Sequence, residues 1–139
     1  MSVVLDANAL VVLALDRERA AAAKTRLRDW RDAGIELHAP DLLRYEAANA
    51  LARSVAVGQL PASEVTAAWQ VITWVPVTLH RLEEGPDVVS MAQRLERRSA
   101  YDAAYLVLAE RLGAELWTLD GPLARNAAAR GLAARLIEA

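Results

Sequence analysis

The chain has 139 residues, 55% of them hydrophobic and 24% charged, with a net charge of -2. These values fit one globular domain over residues 1–139 with a sizeable core, and a charge balance too mild to indicate a partner. Cysteine is absent and His38 and His80 are the only histidines, which excludes disulfides, thiolate nucleophiles and sites built from several Cys or His ligands.

In chain order, Val3-Val4-Leu5 is a short apolar run ending at an acid and reads as a buried strand. Asn8 is placed to cap a helix through about Leu15. Residues 17–33 predict a charged amphipathic helix stopped by Gly34. Ile35 to His38 alternates like a strand and meets Pro40. Asp41 is a good N-cap for a helix to about Val57, closed by Gly58, and Pro61 opens another to about Trp74. Val75 to Leu79 reads as a strand that Pro76 confines to an edge or an end. Pro86 begins a helix to about Arg98, and residues 100–112 predict another, closed by Gly113. Glu115 to Thr118 is a strand leading to Asp120. Pro122 starts a helix to about Arg130, closed by Gly131, and Leu132 to Ile137 holds a last strand. Strands alternating with helices predict an α/β fold with a parallel sheet covered on both faces.

No apolar run approaches the roughly 18 residues of a membrane helix. The first residues carry no basic leader or cleavage pattern, so no membrane association and a cytoplasmic location are expected.

Most acids fall on solvated helix faces, but Asp6, Glu46, Asp102 and Asp120 do not. Asp6 and Asp120 each follow an apolar strand, where open parallel sheets form ligand sites; each also suits a turn or cap. Glu46 falls towards Leu42, Leu43 and Ala50 on the helical wheel, within reach of Arg53 as an ion-pair partner. Asp102 shares a face with Tyr105, Leu106, Ala109 and Leu112, while Glu110 and Arg111 point elsewhere; it also suits the first turn of a helix. Without cysteine or clustered histidine, a metal here is held by carboxylates, which favours Mg2+ or Mn2+. Such a site lowers the pKa of bound water and orients a phosphodiester.

Four segments carry a family resemblance. Val4-Leu5-Asp6-Ala7-Asn8 resembles the opening strand motif of PIN domains. Tyr45-Glu46-Ala47-Ala48-Asn49-Ala50-Leu51 resembles their Glu-bearing helix. The run from Ala100-Tyr101-Asp102 to Gly113 is similar to the third acidic motif of bacterial VapC toxins, and Trp117-Thr118-Leu119-Asp120 to the fourth. The resemblance spans essentially the whole chain. It implies a three-layer α/β/α sandwich with a short parallel sheet. It implies a divalent-metal endoribonuclease, the toxin of a toxin–antitoxin pair, that attacks RNA with metal-activated water and leaves 5′-phosphate and 3′-hydroxyl ends. Asp6, Glu46, Asp102 and Asp120 carry over as catalytic and metal-binding acids, with Asp6 and Asp102 the main ligands, and Asn8 and Thr118 as supporting polar residues.

A homodimer and a cognate VapB-like antitoxin are implied too, with the helices from 41 to 74, including Trp69 and Trp74, as the candidate antitoxin surface. Arg44, Arg97, Arg98 and Arg125 lie near the acids in sequence and are candidates to meet RNA phosphates; each also reads as a solvated surface arginine. The competing readings are a catalytically degenerate PIN-fold binding module and a phosphoacceptor receiver-like domain. The receiver reading lacks the acidic pair at the first strand, and Lys24 is the only lysine.

Overall fold

The structure is a computed structural model that describes residues 1–15, 17–97 and 99–138. Strand β1 (Ser2–Leu5) leads into α1 (Ala7–Leu15) and α2 (Arg17–Asp32). Then come β2 (Glu36–Pro40), α3 (Leu42–Ala56), a 3-10 turn at Ala62–Glu64, α4 (Val65–Trp74) and β3 (Thr78–His80). Helices α5 (Gly85–Arg94) and α6 (Tyr101–Leu112), β4 (Glu115–Thr118), α7 (Gly121–Ala129) and β5 (Ala134–Leu136) complete the chain.

All five strands are parallel, in the order β3-β2-β1-β4-β5. The chain first winds from β1 out to β3, then crosses back over β1 to place β4 on its other side. Strand order therefore reverses between β1 and β4, and in open parallel sheets the crevice beyond the strand ends at such a reversal receives the ligand. Right-handed crossovers put α1 to α4 on one face and α5 to α7 on the other. Within the first layer α1 packs on α2, α3 and α4; in the second α6 packs on α5 and on β1, β2 and β4. This is the expected α/β/α sandwich.

The central strands are apolar on both faces because both are covered: Val3, Val4, Leu5 and Leu116 are buried. Trp30 on α2 meets Trp117 on β4 edge to face, with ring centroids 5.3 Å apart. Among the described residues no helix is long and apolar enough to cross a membrane.

Several boundaries differ from the sequence expectation. Helix α1 starts at Ala7, so Asn8 lies in its first turn and is not its cap; its side chain turns to β4. Asp41 holds the N-cap position of α3 but makes no side-chain cap bond, because its own backbone is already helical. The helix opened by Pro61 begins as the 3-10 turn. Strand β3 starts two residues beyond Pro76 and lies at the sheet edge, as that proline requires. Helix α5 stops at Arg94, short of the expected end, because Glu96 turns left-handed with φ 56°. Gly113 does the same after α6 at φ 62° with no side chain to hinder it. Arg98 lies outside the described residues.

Candidate active site

Asp6 follows β1 and Asp120 follows β4, two strands paired in register through Leu5 and Trp117. The reversal of strand order thus brings the two acids to the ends of adjacent strands. Thr118, fully buried at the end of β4, bridges them. Its hydroxyl donates to Asp6 Oδ2 at 2.8 Å. The same oxygen accepts Asn8 Nδ2 at 3.0 Å and the Asp120 backbone N–H at 3.0 Å. One donor and two acceptor sites are all a hydroxyl has, so Thr118 is saturated. Asn8 also donates from Nδ2 to Asp6 Oδ2 at 3.3 Å and accepts the Leu119 N–H at 3.1 Å. Asp120 in turn accepts the Leu123 N–H at 3.0 Å and caps α7.

Helices α3 and α6 bring the other two acids. Glu46 and Asp102 are both half-buried. The Tyr105 hydroxyl, one helical turn along from Asp102, donates to Glu46 Oε1 at 2.6 Å. Burial first, then the charges of Asp6 and Glu46, hold the Tyr105 phenol far above its ordinary value, so it remains a donor. Arg53 is not the partner of Glu46.

Burial raises the carboxyl pKa of three of the acids. Asp6, only 9% exposed, is pushed up to about 7, chiefly by desolvation; the Thr118 bond works against the shift, and the charges of Glu46 and Asp102 add to it. Glu46 is raised by burial and by Asp102, against the Tyr105 bond. Asp102 is raised by burial and by Asp120, against the attraction of Arg97. Repulsion therefore runs among Asp6, Glu46 and Asp102 and between Asp102 and Asp120, and the charge of Arg97 opposes it at Asp102.

Clustered carboxylates of this kind suit a small divalent cation, which would remove the repulsion. Among the described residues no three acids or histidines stand close enough to cage an ion by protein atoms alone. Mg2+ does not need such a cage, since it keeps several waters and uses one or two carboxylates. Asp6 and Asp102, whose charges act on one another, could supply such a pair.

The profile of the PIN domain matches residues 3–129 of the chain. The chain belongs to the PIN-domain family. Two curated relatives carry the name Ribonuclease VapC3. The PIN domain is 32% identical to that of Pyrobaculum aerophilum over 91% of this chain and 95% of the relative. It is 37% identical to that of Mycobacterium tuberculosis over 88% of this chain and 85% of the relative. Ribonuclease VapC12 of Mycobacterium tuberculosis is 34% identical over 89% of this chain and 91% of its own. A crystal structure of a protein from Pyrobaculum aerophilum superposes with a TM-score of 0.67 over 99% of this chain and 90% of that one; at 23% identity it supports the fold.

The PIN domain thus gathers all four acids named from sequence, with Asn8 and Thr118 bonded to Asp6. Sequence reasoning missed Tyr105 as the partner of Glu46. It placed Tyr105 on the Asp102 face, but a buried phenol needs a partner, and nothing local says which. Of the arginines, Arg97 is close enough for its charge to act on Asp102 and Arg125 lies over Gly121, next to Asp120, while Arg44 is exposed on α3. Trp69 is packed into the core, whereas Trp74 is 88% exposed.

Proposed function

We propose that this PIN domain is a divalent-metal-dependent endoribonuclease, the toxin of a VapBC-type pair, that works on RNA in the cytoplasm. The observation that carries the reading is the convergence of Asp6, Glu46, Asp102 and Asp120 where strand order reverses. The names of the curated relatives support it.

Asp6 and Asp102 hold the cation, Mg2+ or Mn2+, in this reading. When bound, the ion lowers the pKa of water and neutralises charge on a phosphodiester. Thr118 and Asn8 fix the Asp6 carboxylate, so that its oxygens are set before substrate arrives. Glu46 gives Oε1 to Tyr105, which leaves Oε2 to take a proton from an attacking water. Asp120 is tied by its cap bond to Leu123 and lines the other side of the crevice.

The antitoxin surface in this reading is a groove of about 1310 Å3 between α2, α4 and the starts of β2 and β3. Leu27, Leu37, Val71 and the exposed Trp74 line it, and Lys24 and Arg28 edge it. An amphipathic segment with acidic residues on one flank fits that lining. The homodimer face is assigned to Leu82, Val89 and Tyr101, exposed apolar side chains near the ends of β3 and α6.

The test is cleavage of a panel of labelled RNAs by purified protein with Mg2+, Mn2+ or EDTA, beside Asp102→Asn. Metal-dependent cutting lost in the variant is the expected result. Well-folded, antitoxin-free protein that cuts nothing with any metal would turn the assignment to a binding module.

A further inference from the structure

Several arginine side chains have structural partners. Arg26 lies 4.6 Å over the Trp117 ring. Arg111 binds Glu84, Arg130 binds Glu96 and Arg135 binds Glu115. Arg97 and Arg125 differ. Among the described residues neither guanidinium has a hydrogen-bond or ion-pair partner, which is also true of Arg28, Arg44, Arg53 and Arg81, but the charge of Arg97 acts on Asp102 and Arg125 lies over Gly121, the residue after Asp120.

Two separate features put them there. Helix α5 closes with Glu96 in the left-handed region, φ 56°, a position where glycine is the usual residue. The bonds Glu96 N–H to Gln93 O and Arg97 N–H to Ala92 O, both 3.0 Å, lock that turn. Glu96 is also held by Arg130 at 3.3 Å. Strain of this kind persists only where its surroundings hold it, and it collects at functional sites. The turn delivers Arg97 to the neighbourhood of Asp102. At the other feature, Arg125 folds back over the first turn of α7. A Cβ on Gly121 would meet Arg125 Nη1 at 2.9 Å. The missing side chain at 121 leaves room for the guanidinium over the residue that follows Asp120.

We propose that Arg97 and Arg125 form a two-pronged phosphate grip that holds the RNA backbone beside Asp102 and Asp120. The inference rests on the ribonuclease reading above. A cluster of acids repels a polyanion, so a substrate strand needs opposing charge near the crevice. Arginine supplies it with a planar fork that matches phosphate geometry. Because neither fork is spent on a protein acceptor, its donors remain for phosphate oxygens.

The experiment pairs fluorescence-anisotropy binding of a labelled single-stranded RNA with single-turnover cleavage across a salt series. The proteins are wild type, Arg97→Ala, Arg125→Ala, the double variant, both Lys variants, and Arg53→Ala as an exposed control on α3. Each Ala variant is expected to weaken RNA binding about tenfold and to lower the log–log salt slope by about one. The rate at saturating RNA changes far less. Lys restores the slope but only part of the affinity. Gly121→Ala, which removes no charge, shifts the tip of the flexible Arg125 side chain and weakens binding less than Arg125→Ala does. A folded double variant with wild-type affinity and salt slope overturns the grip. Wild type that binds RNA with an arginine-dependent slope yet cuts nothing overturns the nuclease reading alone. Wild type that binds no RNA overturns both.

Discussion

The Tyr105 hydroxyl on α6 donates a 2.6 Å hydrogen bond to Glu46 Oε1 on α3, tying Glu46 to the helix that carries Asp102 across 59 positions of sequence. The bond stabilises the ionised form of Glu46 and so opposes the rise that burial imposes on it. Tyr105→Phe is expected to cost about 1 kcal/mol of stability and to lower the cleavage rate about tenfold through a misplaced Glu46. With the bond gone the Glu46 carboxyl rises further. The acid limb of the pH–rate profile then moves to higher pH, a shift that a purely structural loss would not produce.

Thr118→Val keeps the shape of the side chain but removes a hydroxyl with three partners. Asp6, Asn8 and the Asp120 N–H each lose a bond in a buried setting. A loss of about 3 kcal/mol in denaturant unfolding is expected, together with loss of cleavage. Thr118→Ser retains the hydroxyl and most of the activity. Equal activity in the Ser and Val variants would contradict the bridging role.

Asp6 makes stability depend on pH. Its carboxyl ionises near 3.8 in the unfolded chain and near about 7 when folded. Between these values the folded protein retains a proton that the unfolded chain has lost, so stability falls as pH rises through that window and is level above it. The full effect is on the order of 4 kcal/mol at 1.36 kcal/mol per unit. Asp6→Asn is therefore expected to match wild type near the acid end, to exceed it in melting temperature at neutral pH, and to be inactive. Added Mg2+ or Mn2+ raises the melting temperature of wild type at neutral pH and not that of the variant.

The two histidines pull the other way. Arg111 Nη2 donates to His80 Nδ1 at 3.1 Å, so His80 carries its proton on Nε2 and gives it to His38 Nδ1 at 2.8 Å. His38 Nε2 then faces Glu36 Oε2 at 3.3 Å. This directed chain requires both rings neutral. Burial, then the charges of His38 and Arg111, lower the His80 pKa against the pull of Glu84. Below its ordinary value of 6.5, the unfolded chain takes up a proton that the folded one refuses. Stability from this group is thus complete above that pH and declines as pH falls. His80→Gln should flatten this acid-side decline in thermal melts; an unchanged slope would remove the chain as its cause.

Trp74 is 88% exposed on the rim of the α2–α4 groove. Trp74→Ala is expected to change folding stability by less than about 0.5 kcal/mol and to leave RNA cleavage intact. It should weaken inhibition by the co-purified antitoxin about tenfold or more, as loss of a buried aromatic anchor does. Unaltered inhibition would remove this groove as the antitoxin surface.

Read alone, the amino-acid sequence determined the elements and the suspects. Apolar runs, prolines at helix starts and glycines at helix ends act within a few residues, so the alternation of strand and helix was legible. So were Asp6 and Asp120 at strand ends and Asp102 on an inward helix face. Tertiary structure alone decided what meets what. Strand order put β4 beside β1, which made neighbours of two acids more than a hundred residues apart. The same pairing turned Asn8 from a helix cap into a ligand of Thr118 and Asp6, and a side-chain contact between helices of opposite layers chose Tyr105 for Glu46. The left-handed Glu96 ended α5 early although no glycine marks the spot, because Arg130 holds it from a distant helix end. Periodicity and capping are local and can be read along a chain; strand order, buried hydrogen-bond partners and the positions of guanidinium groups are settled by contacts that exist only once the chain has folded.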